Sequence, residues 1–257
     1  MEKVNVIKVG GAVVEDAAAL QSFLTQFASV EGLKVLVHGG GRSATAMAAR
    51  LGIETKMLDG RRITDAPMLE VVTMVYGGLV NKTIVARMQA KGLDAIGLTG
   101  ADLDSIRSDK RPSVPIDYGF AGDVRKVNGA ALHKLLAAGF VPVMAPLTHD
   151  GKGQLLNTNA DTIAAEVAKG LVPYYDVTLT FCFEKKGVLA NPQDEDSVIP
   201  RIDHASYAAL VADGTLSGGM LPKFHNAFAA LDTGVTRVVI TSAANLNGGS
   251  EIVKNEK

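Results

Sequence analysis

The chain has 257 residues, 47% hydrophobic and 21% charged, with a formal net charge of −1 and a single cysteine, Cys182. That length and apolar share suit one large α/β domain or two lobes on a shared sheet, and the balanced charge gives no general electrostatic reason to bind nucleic acid or a membrane surface. One cysteine cannot form an internal disulfide, no run approaches eighteen consecutive apolar residues, and the first residues lack the regions of a secretion signal, so a soluble, cytoplasmic protein is expected.

In chain order, "VNVIKVGG" (4–11) opens the pattern. Val4, Val6, Ile7 and Val9 read as a strand buried on both faces, interrupted by Lys8 and stopped by Gly10 and Gly11. An ammonium there is costly unless an anion meets it, and a glycine pair lets backbone approach that anion closely. A lysine snorkelling before an ordinary turn is the alternative. A helix over 17–30 follows, then the strand of "KVLVHGGG", a helix over 43–51 and a long helix over 67–91. "DAIGLTG", a helix over 130–138 and "VPVMAP" continue the alternation. "VTLTFCF" and "TRVVIT" supply two more strands, with helices over 205–212 and 223–233 between them. Such alternation implies a mostly parallel sheet covered by helices on both faces. Residues 112–129, rich in Pro and Gly, predict a hairpin attached to the sheet. "ANPQDEDSVIPRID" reads as a loop, the terminal "KNEK" as a solvated end, and Cys182 as a buried core thiol.

Ligands of open α/β sheets bind beyond the carboxyl ends of the strands. Gly10-Gly11 and Gly39-Gly40-Gly41 both stand there, each ahead of a helix, so free backbone N–H groups and positive helix ends converge on one region. Phosphate binding is the favoured reading over glycines kept for packing alone. No G-x-x-x-x-G-K-[ST], G-x-G-x-x-G or G-x-S-x-G is present, which excludes a P-loop and argues against a dinucleotide-binding dehydrogenase and a nucleophile elbow. The histidines show no zinc-ligand spacing, and His38 reads as structural. In "LNTNADTIAAEVAKG", Asn157, Asn159 and Asp161 precede or open a helix. One of them suffices as a cap; three suit a small polar ligand and the orientation of nearby cations. In "SGGMLPKFHNAF", Pro222 starts a helix and puts Lys223 in its first turn, where the dipole opposes a cation. Lys8, Asp161 and Lys223 thus form a candidate set of two cations spaced by one carboxylate.

"KVGG", "HGGG", "GRRIT", "NTNAD" and "GGMLPK" occur in the order seen in the amino acid kinase superfamily, and the chain resembles its N-acetylglutamate kinase branch from Val6 to about Ala230. The resemblance implies a three-layer αβα sandwich around a mainly parallel central sheet. It also implies ATP-dependent phosphorylation of the side-chain carboxylate of N-acetyl-L-glutamate in arginine biosynthesis. One domain, 1–257, would divide into an acylglutamate lobe at 1–172 and an ATP lobe at 173–257. Lys8 and Lys223 would meet the phosphoryl oxygens while Asp161 holds both lysines. Gly10, Gly11, Gly40 and Gly41 would line the phosphate path, Arg62 would pair with the substrate α-carboxylate, and Asn157 and Asn159 would serve the acylamino acid. Mg2+ would bridge the ATP phosphates without a direct protein carboxylate ligand. Where relatives carry D-V-x-G, this chain has "FEKKGV", so contacts of Glu184, Lys185 and Lys186 with nucleotide are the insecure part of that transfer.

The chain starts almost at its first strand, from which an arginine-insensitive homodimer is expected, joined through the long helix around Met68 to Ala90. "GRRIT" and "NTNAD" favour an acylated glutamate over the aspartate, glutamate, carbamate and uridylate kinases that share the glycine turns. N-succinyl-L-glutamate is the alternative acceptor, with Arg111, Arg125 and Lys126 as candidates for its extra carboxylate. A non-catalytic ligand-sensing module on the same scaffold is the other alternative.

Overall fold

A computed structural model describes residues 1–58, 60–191 and 193–254; the last three residues of "KNEK" and Pro192 of the loop lie outside the described residues. The central sheet has eight strands, in spatial order Arg201–Ile202, Asn245–Ile252, Arg237–Ser242, Asp176–Phe183, Lys3–Val9, Leu33–His38, Val141–Met144 and Ala95–Leu98. All neighbours pair in parallel except Asn245–Ile252 with Arg237–Ser242.

Alternation along the two central strands decides what each side chain meets. Val4 and Val6 point into one core with Val35 and Val37, beneath the helices Gly129–Ala137, Ala160–Leu171 and Leu221–Thr233. Ile7, Val9 and Leu36 point into the opposite core, beneath the helices Ala17–Ser29 and Gly41–Arg50 and the long helix Ala66–Gln89. The three-layer sandwich expected from the sequence is what forms. Period two then carries Lys8 to the face of the helix Ala160–Leu171 and His38 to the face of the long helix.

The long helix starts on Asp65, whose side chain accepts from the Met68 N–H at 3.0 Å, with Pro67 in the first turn. Over Thr73–Val80 it winds as a π-helix, returning to α geometry at Asn81. Its length and mean hydropathy would suffice to cross a membrane. It nevertheless carries Glu70, Lys82 and Arg87 and buries Met68, Val72, Val75, Ile84 and Met88 against the sheet, the pattern of a core helix.

The expected hairpin needs correction. Its second strand, Gly122–Val127, lies within 112–129, but the partner is Ile106–Lys110, upstream of that segment. "IRSDK" carries three charges and little apolar signal, so it does not read as a strand. The intervening residues form a loop. With Leu147–His149 and Leu155–Asn157 these strands make a separate four-stranded sheet. A short ribbon, Met57–Leu58 with Arg61–Arg62, and a one-turn helix at Gly11–Glu15 are further elements too short to be legible. The loop at 190–203 holds as a loop except for Arg201–Ile202 at the sheet edge.

Candidate active site

The carboxyl ends of the first two strands are held in register, Val9 opposite His38, so the two glycine turns face each other. A Cβ on Gly39 would come within 2.9 Å of the Gly11 nitrogen, and one on Gly11 within 3.5 Å of the Gly40 nitrogen. At Gly39 only bare backbone fits this approach. Glu15 holds the start of the helix Gly41–Arg50 by accepting from the Ser43 N–H at 2.6 Å. The N–H groups of Gly40 and Gly41 find no acceptor among the described residues.

The opposite wall comes from the helix Ala160–Leu171. Asn159 is its cap, accepting from the N–H groups of Asp161 at 2.8 Å and Thr162 at 3.1 Å, which frees Asp161 for other partners. Asp161 Oδ1 lies 2.6 Å from Lys8 Nζ, and Oδ2 lies 3.0 Å from Lys223 Nζ. The Phe183 ring lies beneath both ammonium groups, 5.6 Å from Lys8 and 4.9 Å from Lys223. Burial alone would push the Asp161 carboxyl up; the two ammonium groups outweigh it and hold the group below the ordinary carboxylate range. Lys223, in the first turn of its helix, also donates to the Gly219 carbonyl at 3.2 Å. The three residues singled out in the sequence therefore form one contiguous array, with one more positive than negative charge.

Arg62 is buried, 8% exposed. Its Nη2 donates to the Gly41 carbonyl at 2.8 Å and to Thr45 Oγ1 at 2.9 Å, and its Nη1 to Thr55 Oγ1 at 3.3 Å. Among the described residues no carboxylate pairs with it. A guanidinium buried on neutral acceptors is a standing site for an anion. Asn157 donates from Nδ2 to Thr64 Oγ1 at 2.9 Å.

Two adjoining cavities surround this machinery. One, of about 200 Å³, is lined by Gly39–Gly41, Arg62, Tyr76, Arg111, Asn157 and Asn159, among others. The second, of about 620 Å³, is lined by Asp161, Lys223, Tyr207, His225 and Asn226, and shares Gly60, Arg61 and Asn159 with the first. Thus Arg62, Asn157, Asn159 and two of the glycine positions gather at the smaller cavity, and the Asp161–Lys223 pair opens onto the larger.

Other expectations are placed elsewhere. Lys185 pairs with Glu195 at 3.4 Å and Lys186 with Asp196 at 2.7 Å within their own loop, while Glu184 lies 3.7 Å from Arg42, all exposed. None of the three lines either cavity. Arg125 sits 3.5 Å from Asp109 on the surface, whereas Arg111 reaches the smaller cavity. Cys182 is buried as expected, and burial pushes its thiol up to about 12. Tyr76 and Phe183 were not legible as site residues, since each sits in an apolar run that its fold already accounts for. Among the described residues no group of three His, Cys, Asp or Glu side chains could hold a metal ion.

The model of the amino acid kinase family matches residues 3–242. The chain belongs to the amino acid kinase family. It is therefore a kinase, with ATP as its co-substrate. This kinase is 62% identical to an acetylglutamate kinase of Phocaeicola vulgatus, over 98% of both chains. It is 60% identical to one of Bacteroides fragilis, again over 98% of both. Among solved structures it is similar to smu.665 of Streptococcus mutans, with a TM-score of 0.82 at 25% identity over 98% of each chain. A carbamate kinase of Giardia lamblia bound to AMP-PNP shares the fold at a TM-score of 0.68 and 15% identity, over 99% of each chain.

Proposed function

We propose that this kinase transfers the γ-phosphoryl group of ATP to the side-chain carboxylate of N-acetyl-L-glutamate, giving an acyl phosphate in arginine biosynthesis. The observation that carries the reading is Asp161 tied between Lys8 and Lys223, with Arg62 buried nearby and paired with no carboxylate among the described residues. The curated relatives named acetylglutamate kinase support the choice of acceptor.

The acceptor needs no general base, because a glutamate side chain, with a reference pKa of about 4.3, is already ionised at neutral pH. What the chain must supply is alignment and neutralisation of charge on a transferring phosphoryl group. Lys8 and Lys223 approach its oxygens from two sides, and Asp161 fixes the spacing of their ammonium groups. The N–H groups at Gly11, Gly40 and Gly41, with Gly10 shaping the first turn, receive the phosphoryl group and the carboxylate it joins. Arg62 takes the α-carboxylate, Asn157 the acylamide, and Asn159 supports the turn between the cavities. Residues 1–172 form the acylglutamate lobe and residues 173–257 the ATP lobe, with Lys223 reaching across. Among the described residues Asp161 is the carboxylate at the transfer point and two lysines occupy it, so a Mg2+ ion would be held by the ATP phosphates rather than by this side chain and would supply further neutralisation of their charge. The enzyme works in the cytoplasm as a homodimer.

A second acceptor, N-succinyl-L-glutamate, is favoured by one observation. Arg111 lines the acylglutamate cavity, paired with Asp123 through Nε and Nη2 and packed on the Tyr118 ring. That arrangement orients a guanidinium at the wall left for the acyl group. ATP-dependent acyl phosphate, trapped with hydroxylamine, should form with N-acetylglutamate. Faster formation with N-succinylglutamate, abolished by Arg111→Ala, would shift the assignment to the longer acyl group. No product with either acid would overturn the choice of an acylglutamate as the acceptor.

A further inference from the structure

The Gly39–Gly41 turn is held from behind by side chains that the transfer scheme leaves unused. His38 is fully buried. Its Nδ1 lies 2.7 Å from the Gly39 carbonyl oxygen, which can only accept, so the ring proton sits on Nδ1. Nε2 then accepts from Asn81 Nδ2 at 3.1 Å, and the same amide donates to the Val143 carbonyl at 2.9 Å. The Val143 contact fixes which end of Asn81 carries nitrogen. Lys82 Nζ, 3.2 Å away, donates to Asn81 Oδ1. Every polar atom of the pair is thereby committed. Burial pushes the imidazole down to about 4, with the Gly39 carbonyl only partly opposing, so the ring is neutral.

A trans peptide keeps its C=O and N–H antiparallel in one plane. With the Gly39 carbonyl tied to His38, the N–H of Gly40 must point the opposite way, away from the ring. On the open side, the Tyr76 ring abuts Gly40 so closely that a Cβ there would lie 3.0 Å from it. Tyr76 belongs to the π-helical stretch, and Asn81 immediately follows it. A π stretch within an α-helix is frequently tied to function.

We propose that His38, Asn81 and Tyr76 are positioning residues for phosphoryl transfer, fixing the Gly39–Gly40 peptide so that the Gly40 N–H is presented to the transferring group. This rests on the transfer reading given above. The π-helical stretch is what lets one helix contribute both Tyr76 and Asn81 to the same turn.

Two substitutions separate positioning from simple stability. His38→Asn puts an amide nitrogen where Nδ1 stands and keeps the donor to the Gly39 carbonyl, losing the Asn81 bond. His38→Gln reaches toward Asn81 and loses the Gly39 donor. Each forfeits one buried hydrogen bond, so both should lower Tm alike. His38→Asn should keep most of the wild-type kcat, whereas His38→Gln should lose kcat about 100-fold, the scale of losing one oriented donor, with KM for ATP little changed. Equal losses in both variants would overturn the proposal and leave the kinase reading intact, since wild-type acyl-phosphate formation tests that reading separately. On the wild-type protein, 15N NMR should find His38 neutral with its proton on Nδ1 down to about pH 5. A proton on Nε2, or titration near the ordinary histidine value, would also overturn it.

Discussion

Asp161 is 6% exposed and meets two lysine ammonium groups, so its charge is buried and doubly paired. Removing its charge strands two cations in a cavity wall, and Asp161→Asn should destabilise the fold by about 3 kcal/mol, the lower end for breaking a buried pair. It should also lower kcat, because Lys8 and Lys223 repel once unspaced. The pH dependence has a definite sign. The folded carboxyl lies below its ordinary value of 3.8, so the unfolded chain takes up this proton first on acidification. The stabilisation it provides is complete above that value and is lost as pH falls through the lower, folded one. Urea unfolding of wild type and Asp161→Asn across the acid range should therefore show the stability gap shrinking as pH drops below 3.8. A gap that stayed constant there would mean that Asp161 is not held ionised by the lysines.

At the scale of elements, the long helix and the strand Ala95–Leu98 meet through atoms that leave no room for a side chain. A Cβ on Gly97 would fall 1.9 Å from Asn81 Oδ1 and 2.6 Å from Lys82 Nζ. Gly97→Ala should push Asn81 off both His38 and Val143 and destabilise by about 2 kcal/mol, as overpacking of a core does, whereas Gly78→Ala, with nothing within 4 Å, should be neutral or slightly stabilising. Chemical denaturation of the two variants side by side checks this; equal stability would show that the Asn81 contact is dispensable. The same elements mark what the sequence could and could not tell. Alternating apolar strands and periodic helices were legible, because each buries a continuous face whose period is written in its residues. Lys8, Asp161, Lys223 and Arg62 were legible because charge in an apolar or glycine-rich context is costly without a purpose. The four-stranded side sheet was not, since Ile106–Lys110 and Leu155–Asn157 are short and half-exposed, and pairing alone defines them. Nor was the π-helical stretch, whose apolar residues scan as ordinary α-helix. Asn81 and Tyr76 were hidden with it.

At the scale of the whole molecule, the long helix has an outer side that none of the described residues covers. Met74 is 54% and Leu79 57% exposed. The i→i+5 repeat of the π-helical stretch sets these two residues one turn apart, on a common face. An exposed apolar pair on the central helix is the feature an isologous dimer would bury. Leu79→Glu, which places one charge from each subunit at such an interface, should convert the proposed homodimer to a monomer; light scattering after gel filtration would read a mass falling from about twice 26.9 kDa to that value. A monomeric wild type would sink the dimer outright. The consequence for activity follows from what the helix carries on its other side. Tyr76 abuts Gly40 from the same stretch that exposes Met74 and Leu79, and Asn81, the next residue after that stretch, holds His38 behind the turn, so loosening the outer contacts should loosen the turn. The monomeric variant is therefore expected to lose kcat while its KM for ATP holds, because the helix packs chiefly on elements of the acylglutamate lobe, the strands Ala95–Leu98 and Val141–Met144 among them. A monomer with full kcat would show that the π-helical stretch is rigid without its partner.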